Sequence, residues 1–280
     1  MTRGYVHGYD LREAIRLQDQ AGVLADLLHH DTAYPGGSRV LEAGCGVGAQ
    51  TVTLARNSPD ARIVSIDIST ESLKAARAAV DKAGIANVEF LQADIFSLPF
   101  EPESFDHVFV CFVLEHLPQP AEALRALKRT LKPGGALTAI EGDHGSTFFY
   151  PDCNKARTAI RCLVDLQRAA GGNANIGREL YPLLTGAGFE AVRVSPRMVY
   201  VDGSNPQLVE GFTKKTFTAM IEGVRKPVVE AGLMGAADFD TGVRSLRRAA
   251  GADGVFCYTF FKGAGLKPGP SGDVSQGDRP

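Results

Sequence analysis

The sequence predicts an α/β fold built on a doubly wound sheet. Strand and helix patterns alternate from about residue 10 to residue 141, which is typical of parallel strands joined by covering helices. A continuous apolar run over residues 105–113 has the character of a central strand that is buried on both faces. With 280 residues, 44% apolar and 22% charged, the chain is long enough to bury a substantial core.

The first half of the chain divides into elements at clear breaks. Apolar residues at helical spacing predict a helix over 12–30, and the turn-forming stretch 34–38 ends it. Short β-favouring apolar runs predict the strands, Gly84 ends one helix, and the Lys-Pro-Gly-Gly segment at 132–135 ends another. In order, we expect strands over 39–43, 61–66, 88–92, 105–113 and 136–141, with helices after the turn 44–48 and over 69–83 and 120–131.

The second half has a looser pattern. Helical spacing predicts helices over 155–169, 177–187, 206–231 and 239–250. Residues 191–201 alternate between apolar and polar, and Pro196 within them indicates an edge strand. Residues 255–261 strongly favour a strand. From residue 263 the chain is rich in Gly, Pro, Ser and Asp, which predicts a disordered tail over 263–280.

Composition argues against several function classes. The formal net charge is −2, whereas a nucleic-acid-binding protein usually carries an excess of basic residues. No apolar run is long enough for membrane insertion, and the first residues are too polar for a signal peptide. The five cysteines are odd in number and scattered, which favours reduced thiols and a cytoplasmic location.

The strongest motif is the glycine-rich turn after the first predicted strand. Residues 44–49 satisfy the GxGxx[GA] pattern, so a nicotinamide or flavin fold is a competing interpretation. Glu42 argues against it, because a carboxylate two residues before the turn would repel a pyrophosphate. The same carboxylate favours S-adenosylmethionine, which carries a cationic amine and a sulfonium. Glycines at Gly44, Gly46 and Gly48 let the backbone approach the ligand closely.

From about residue 40 to residue 141 the chain resembles class I S-adenosylmethionine-dependent methyltransferases. The resemblance is carried by Glu42 with the three glycines, the segment Leu114-Glu115-His116-Leu117, and Leu131-Lys132-Pro133-Gly134-Gly135 before the fifth strand. Within this family the chain resembles the small-molecule group that includes ubiquinone and menaquinone C-methyltransferases and natural-product tailoring enzymes. The resemblance implies a Rossmann-like sheet of seven strands, mostly parallel with an antiparallel last strand, and a helical lid insertion.

The resemblance also implies which residues bind S-adenosylmethionine. Asp67 ends the second strand, where the family has its ribose-binding carboxylate, and could otherwise start a helix. Asp94 lies where the family binds adenine, and we expect Ile68 and Ile95 on the two ring faces. The remaining residues expected to contact the cofactor are Cys45, Ala93 and Cys111, together with Tyr9 and Arg16 of the N-terminal segment.

Candidate catalytic residues follow the ends of strands four and five, where such sheets bind ligands. His144, in a loop with two glycines, is a candidate base, and the alternative is an exposed loop histidine. Glu115 and His116 follow strand four, and Tyr9 could contact the acceptor or the sulfonium. We expect no metal, because the clustered oxygen ligands of the magnesium-dependent relatives are not matched.

The predicted organisation is an N-terminal cap helix over 1–30, a cofactor-binding core over 31–145, lid helices and last strands over 146–262, and the tail. We expect methyl transfer to a small aromatic acceptor of the indole, phenol or quinol kind, on carbon, nitrogen or oxygen. A small-molecule thiol S-methyltransferase and an NAD-dependent oxidoreductase are the alternatives. We expect no nucleic-acid partner, and a monomer or homodimer.

Overall fold

A seven-stranded sheet organises the chain. The computed structural model describes residues 22–269. Within them the strand order is β3-β2-β1-β4-β5-β7-β6. The strands are β1 Arg39–Ala43, β2 Arg62–Asp67, β3 Val88–Gln92, β4 Phe105–Cys111, β5 Leu131–Tyr150, β6 Glu190–Val201 and β7 Val255–Leu266.

Helices cover the sheet and connect its strands. Residues 22–29 form α1. The later helices are α2 Thr51–Asn57, α3 Thr70–Lys82, α4 Pro120–Thr130, α5 Asn154–Ala169, α6 Leu180–Gly186, α7 Pro206–Leu208, α8 Ala219–Gly223, α9 Arg225–Glu230 and α10 Ala236–Ala249. Turns of 3-10 helix lie at Leu114–His116 and Ile176–Glu179, and a π-helix runs over Val209–Thr218.

The parallel part of the sheet places the glycine-rich turn at its centre. β1 pairs in parallel with both β2 and β4, and β4 pairs in parallel with β5. From Val108 to Val110 the β4 side chains are fully buried, as the continuous apolar run predicts for a strand covered on both faces. The order changes direction between β1 and β4, which is the position where open α/β sheets bind their ligands.

The antiparallel part confirms the expected edge and last strands. β7 lies between β5 and β6 and is antiparallel to both. β6 is at the sheet edge, where Pro196 breaks no ladder bond to a further strand. The prediction of a mostly parallel seven-stranded α/β sheet with an antiparallel last strand is therefore confirmed.

Three expected boundaries are corrected by the structure. β5 continues to Tyr150 instead of ending at Glu141, because the start of β7 pairs with its extension, as in the pair formed by Phe148 and Cys257. The expected division between core and insertion at residue 145 therefore falls inside a strand. β7 also continues to Leu266, so residues 263–266 pair in the sheet instead of beginning a disordered tail.

Two apolar cores lie on the two faces of the sheet. One joins α1, α5, α10 and the π-helix to β7, with Phe212, Phe217 and Phe256 among its fully buried rings. The other packs α4 and α6 against β4 and β5 around Phe105. Whether the helices after β5 act as a lid stays a prediction. Over residues 22–269, no helix combines the length and the apolar character that crossing a bilayer requires.

Candidate active site

The turn after β1 is held in place by the second strand. The backbone N–H groups of Gly44 and Cys45 both donate to the carbonyl of Ile66, at 2.8 and 2.9 Å. All three glycines of the motif have positive φ angles, 77° at Gly44, 52° at Gly46 and 77° at Gly48. These left-handed conformations favour glycine, and they shape a tight turn into α2.

The three glycines have different surroundings. A Cβ atom on Gly44 would lie 2.5 Å from Cγ2 of Val113, and one on Gly48 would lie 2.8 Å from Cα of Ala76. At both positions the lack of a side chain therefore lets the turn pack closely against neighbouring residues of the protein. A Cβ on Gly46 would meet no atom within 4 Å. Gly46 is thus the glycine whose bare backbone faces space that a ligand can use.

Glu42 is a buried acid immediately before this turn. Its side chain is 2% exposed, and its Oε2 accepts a hydrogen bond of 2.5 Å from the Ser65 hydroxyl. Burial raises the pKa of Glu42 to about 7, although its bonds to Ser65 and Thr51 oppose the rise. Within residues 22–269 Glu42 forms no ion pair with a lysine, arginine or histidine. A cationic ligand group at the turn would fit a carboxylate in this position.

Asp67 closes the turn from the end of β2. One carboxylate oxygen accepts from the backbone N–H of Gly46 and the other from that of Ser69, both at 2.8 Å. Ser69 caps α3 by accepting from Ser72 N–H at 3.2 Å, so Asp67 is not the cap itself. Burial raises the pKa of Asp67 despite these bonds. Carboxylate oxygens accept more than one hydrogen bond, so ribose hydroxyls remain compatible with this arrangement.

The other expected cofactor contacts are spread over neighbouring strand ends. Ile68 is 61% exposed beside the turn, whereas Ile95 is buried in the apolar core with Ala93. Asp94 accepts from the backbone N–H of Phe96 at 2.9 Å, which makes it an Asx-turn residue in this structure. Cys45 and Cys111 are both buried. Burial raises the pKa of each thiol, so both are inert thiols.

Glu115 and His116 form part of the 3-10 turn after β4. Glu115 is 9% exposed and lies 3.6 Å from the His116 ring, and Gln167 donates to its carboxylate at 3.3 Å. Glu141, from β5, is fully buried and accepts from the backbone N–H groups of Val113 and Leu114 at 3.1 and 2.8 Å. Burial and the nearby charge of Glu115 raise the pKa of Glu141. Glu141 therefore anchors the post-β4 turn.

His144 is not the exposed loop histidine that its sequence context allows. It is 6% exposed within the extended part of β5, and its Nδ1 lies 2.7 Å from the Tyr258 hydroxyl. Its ring also packs against Phe217 of the π-helix at 6.1 Å between centroids. Within the expected open loop of residues 142–146, residues 142–144 are instead buried and Gly145 is exposed, because β7 pairs with Gly142 and Asp143 before the register shifts.

Sequence reasoning missed several residues that hold this region. Arg178 makes two hydrogen bonds of 2.7 Å to the buried Asp143 carboxylate, and the Asn175 side chain accepts from Gly145 N–H at 2.9 Å. Their partners are about 30 positions away in the chain, so no local pattern marks them. Phe112 has a φ of 57°, which is strained for a bulky residue, and its ring lies 5.5 Å from that of Phe260.

Two expected contacts lie outside the described residues. Tyr9 and Arg16 belong to residues 1–21, so their predicted roles stay predictions. Over the part of the chain that the structure describes, no three His, Cys, Asp or Glu side chains are grouped so that they could hold a metal ion.

Comparisons with known proteins give one family match and several relatives. Residues 41–139 match the family model described as a methyltransferase domain. A 37.1 kDa uncharacterized protein in transposon TN4556 of Streptomyces fradiae is 37% identical over 194 residues, which cover 68% of this chain and 54% of that protein. Demethylmenaquinone methyltransferase of Listeria monocytogenes is 35% identical over 106 residues, which cover 38% of this chain and 45% of that protein. The chain thus spans about half the length of the curated relatives that it matches.

Solved structures show the same architecture. A candidate methyltransferase of Bacillus halodurans has a TM-score of 0.57 at 21% identity, covering 88% of this chain and 98% of that one. A second structure is phosphoethanolamine N-methyltransferase 2 of Haemonchus contortus in complex with S-adenosylhomocysteine. Its TM-score is 0.57 at 19% identity, and the match covers 92% of this chain and 58% of that one. At these identities the likeness establishes the fold.

Proposed function

Because the chain contains a class I S-adenosylmethionine-dependent methyltransferase domain, we propose that it transfers a methyl group from that cofactor to a small aromatic acceptor. The observation that carries the proposal is the buried Glu42 carboxyl beside an open glycine turn. Within residues 22–269 it has hydrogen bonds but no ion-pair partner. A ligand whose amine is cationic supplies that missing charge, and a dinucleotide pyrophosphate would oppose it.

The residues of the turn fit this cofactor in three places. Glu42 would pair with the ammonium group, the backbone at Gly46 would accommodate the ligand, and Asp67 would accept from the ribose hydroxyls. When bound, S-adenosylmethionine supplies a methyl group on a sulfonium that is already activated for displacement. The protein's own task is therefore to align the acceptor with that methyl group.

The proposed acceptor region lies at the carboxyl ends of β4 and β5. It combines the polar residues Glu115, His116 and His144 with the aromatic rings of Phe112 and Tyr258. An apolar aromatic lining with a few polar groups is typical of sites for small aromatic molecules. The name of the Listeria relative, demethylmenaquinone methyltransferase, supports an acceptor of the quinol or phenol kind. We further propose a cytoplasmic enzyme of secondary or quinone-type metabolism, acting as a monomer or homodimer.

Calorimetry with S-adenosylhomocysteine and with NAD tests the cofactor. We expect binding of S-adenosylhomocysteine and none of NAD, and the opposite result would overturn the proposal. Methyl transfer from labelled S-adenosylmethionine to a panel of a phenol, a naphthohydroquinone, an indole and an alkyl thiol then tests the acceptor. We expect label on the aromatic hydroxyl compounds, and label on the thiol alone would make the chain an S-methyltransferase.

A further inference from the structure

Tyr258 holds His144 by a buried hydrogen bond. The Tyr258 hydroxyl lies 2.7 Å from Nδ1 of His144, and the two side chains are 2% and 6% exposed. Burial, together with the charges of Glu115, Asp143 and Glu141, raises the pKa of Tyr258 well above its ordinary value. Tyr258 therefore remains a neutral phenol with one proton to donate.

The direction of this hydrogen bond follows from the surroundings of the hydroxyl. Over residues 22–269, the Tyr258 hydroxyl is hydrogen-bonded to Nδ1 of His144 and to no other atom. A buried hydroxyl proton without an acceptor is costly, so the hydroxyl directs its proton to Nδ1 of His144. A neutral imidazole has one N–H and one acceptor nitrogen, so an accepting Nδ1 places the ring proton on Nε2.

The packing around Tyr258 keeps its hydroxyl in this position. Its ring contacts those of Phe212, Phe217 and Phe260, with centroids 5.9, 5.6 and 4.7 Å away. A Cβ on Gly142 would collide with the hydroxyl, so only glycine fits opposite it. The His144 backbone N–H is fixed by the Ala174 carbonyl at 3.0 Å. Both partners of the hydrogen bond are thus preorganised.

The His144–Tyr258 pair lies at the same end of the sheet as the cofactor turn, where the parallel strands have their carboxyl ends. Tyr258 is within electrostatic reach of Glu115 and Glu141, and Glu141 holds the backbone N–H of Val113. Val113 in turn packs so closely to Gly44 that a Cβ there would be 2.5 Å from its methyl group. Contacts from Glu141, which lies three residues before His144 on β5, therefore lead through Val113 to the glycine turn.

We propose that Tyr258 is a positioning residue which keeps the proton of His144 on Nε2, so that His144 donates a hydrogen bond to an oxygen of the acceptor instead of acting as a base. This inference depends on the proposed methyl-transfer function. It narrows the acceptor to a molecule with an acidic hydroxyl, a phenol or an enol, that reacts as its oxyanion. An N–H donor stabilises an oxyanion, whereas a neutral amine or an alkyl group gains nothing from it.

The transfer step then needs no base on the protein. The hydroxyl proton of the acceptor is lost to solvent on binding. The oxygen forms the bond to the methyl carbon with its own electron pair. Where a ring carbon reacts instead, a π electron pair of the ring forms the bond, and the ring proton is afterwards lost to solvent while the oxygen takes one up. The sulfur–methyl bond breaks, and its electron pair stays on sulfur. The negative charge of the acceptor and the positive charge of the sulfonium cancel, and His144 keeps its proton.

The tautomer is measured directly by nitrogen-resolved NMR of the histidine ring. In the unmodified protein we expect a protonated Nε2 and an unprotonated Nδ1 for His144. In Tyr258→Phe, which keeps the ring but lacks the hydroxyl, we expect the two tautomers to mix. Thr259→Val is the control, because it changes the neighbouring side chain on the other face of β7. A proton on Nδ1 in the unmodified protein would overturn the proposal.

The donor role is tested with 4-nitrophenol, whose phenolate absorbs visibly. Added to the complex with S-adenosylhomocysteine below its own pKa, the probe should bind as the phenolate. We expect His144→Leu to weaken phenolate binding about 10-fold, while His144→Gln, which keeps an N–H donor, remains within about 3-fold of the unmodified protein. Equal binding by His144→Leu and the unmodified protein, with S-adenosylhomocysteine still bound, overturns this inference alone. Failure of S-adenosylhomocysteine to bind the unmodified protein overturns the proposed function as well.

Discussion

Arg178 donates two hydrogen bonds of 2.7 Å to the two carboxylate oxygens of Asp143. Asp143 is 2% exposed, and the fork of the guanidinium satisfies both of its oxygens. The pair ties the 3-10 helix Ile176–Glu179 to the extended part of β5. Asp143 is therefore committed to the structure and does not serve as a free base or a metal ligand.

Replacing Arg178 by methionine should destabilise the protein by about 2 kcal/mol, because Asp143 would remain buried without its cation. The effect is smaller than for a fully buried pair, since the Arg178 side chain is 49% exposed. Urea unfolding measures the change. Arg168→Met is the matched control, because Arg168 pairs with Asp165 on an exposed helix face and should cost less than about 1 kcal/mol. Equal losses in the two variants would contradict the argument.

Two alanine substitutions should separate packing from ligand binding in the glycine turn. Gly48→Ala places a Cβ 2.8 Å from Cα of Ala76, which α3 holds rigidly, so the free energy of unfolding should fall by several kcal/mol. Gly46→Ala meets no protein atom and should cost only about 1 kcal/mol for its left-handed backbone.

Binding of S-adenosylhomocysteine gives the second measurement for these variants. Gly46→Ala should lose at least about 10-fold in affinity despite its near-normal stability, because its new methyl group enters the space used by the ligand. Full affinity in folded Gly46→Ala would show that the ligand lies elsewhere.

Local signals predicted the parts of this molecule that depend on neighbouring residues. The positions of the strands along the chain and the glycine turn follow from periodicity and spacing, and the family resemblance added Asp67. The turn keeps its shape through bonds within 22 positions. The contacts of His144 and Asp143 could not be predicted in the same way. Tyr258 is 114 positions from His144, and Arg178 is 35 positions from Asp143. Such pairs depend on which strands become neighbours.

The same dependence on residues distant in the sequence explains why the sequence predicted the end of β5 wrongly. The acidic segment with Gly142 and Gly145 indicates a loop when it is considered alone. Gly142 is instead required beside the Tyr258 hydroxyl, and Gly145 beside Arg178. Pairing with β7 extends the strand past both glycines, with a shift of register between Asp143 and Phe148.

His29 should make the protein sensitive to acid. Its ring is 1% exposed and hydrogen-bonded to Gln50 at 2.7 Å, and burial lowers its pKa from 6.5 to about 4. A histidine that stays neutral in the fold contributes stability above pH 6.5 that is lost as the pH falls toward 4. The lowering corresponds to about 3 kcal/mol at most. Urea unfolding at pH 7 and pH 4.5 should show a smaller loss in His29→Gln than in the unmodified protein, and an equal loss would contradict this origin.

Cofactor binding should strengthen with pH through the titration of Glu42. Burial raises the pKa of Glu42 to about 7, and a ligand ammonium group binds its ionised form, so binding releases a proton at lower pH. Affinity for S-adenosylhomocysteine should therefore rise about 10-fold from pH 6 to pH 8, by calorimetry. Glu42→Gln should bind more weakly and lose this dependence, whereas Glu89→Gln on β3 should keep it. The pKa of the neighbouring Asp67 is raised as well, so Asp67→Asn is measured alongside. A pH dependence that persists unchanged in Glu42→Gln would show that another group titrates and that Glu42 does not bind the ammonium group of the ligand.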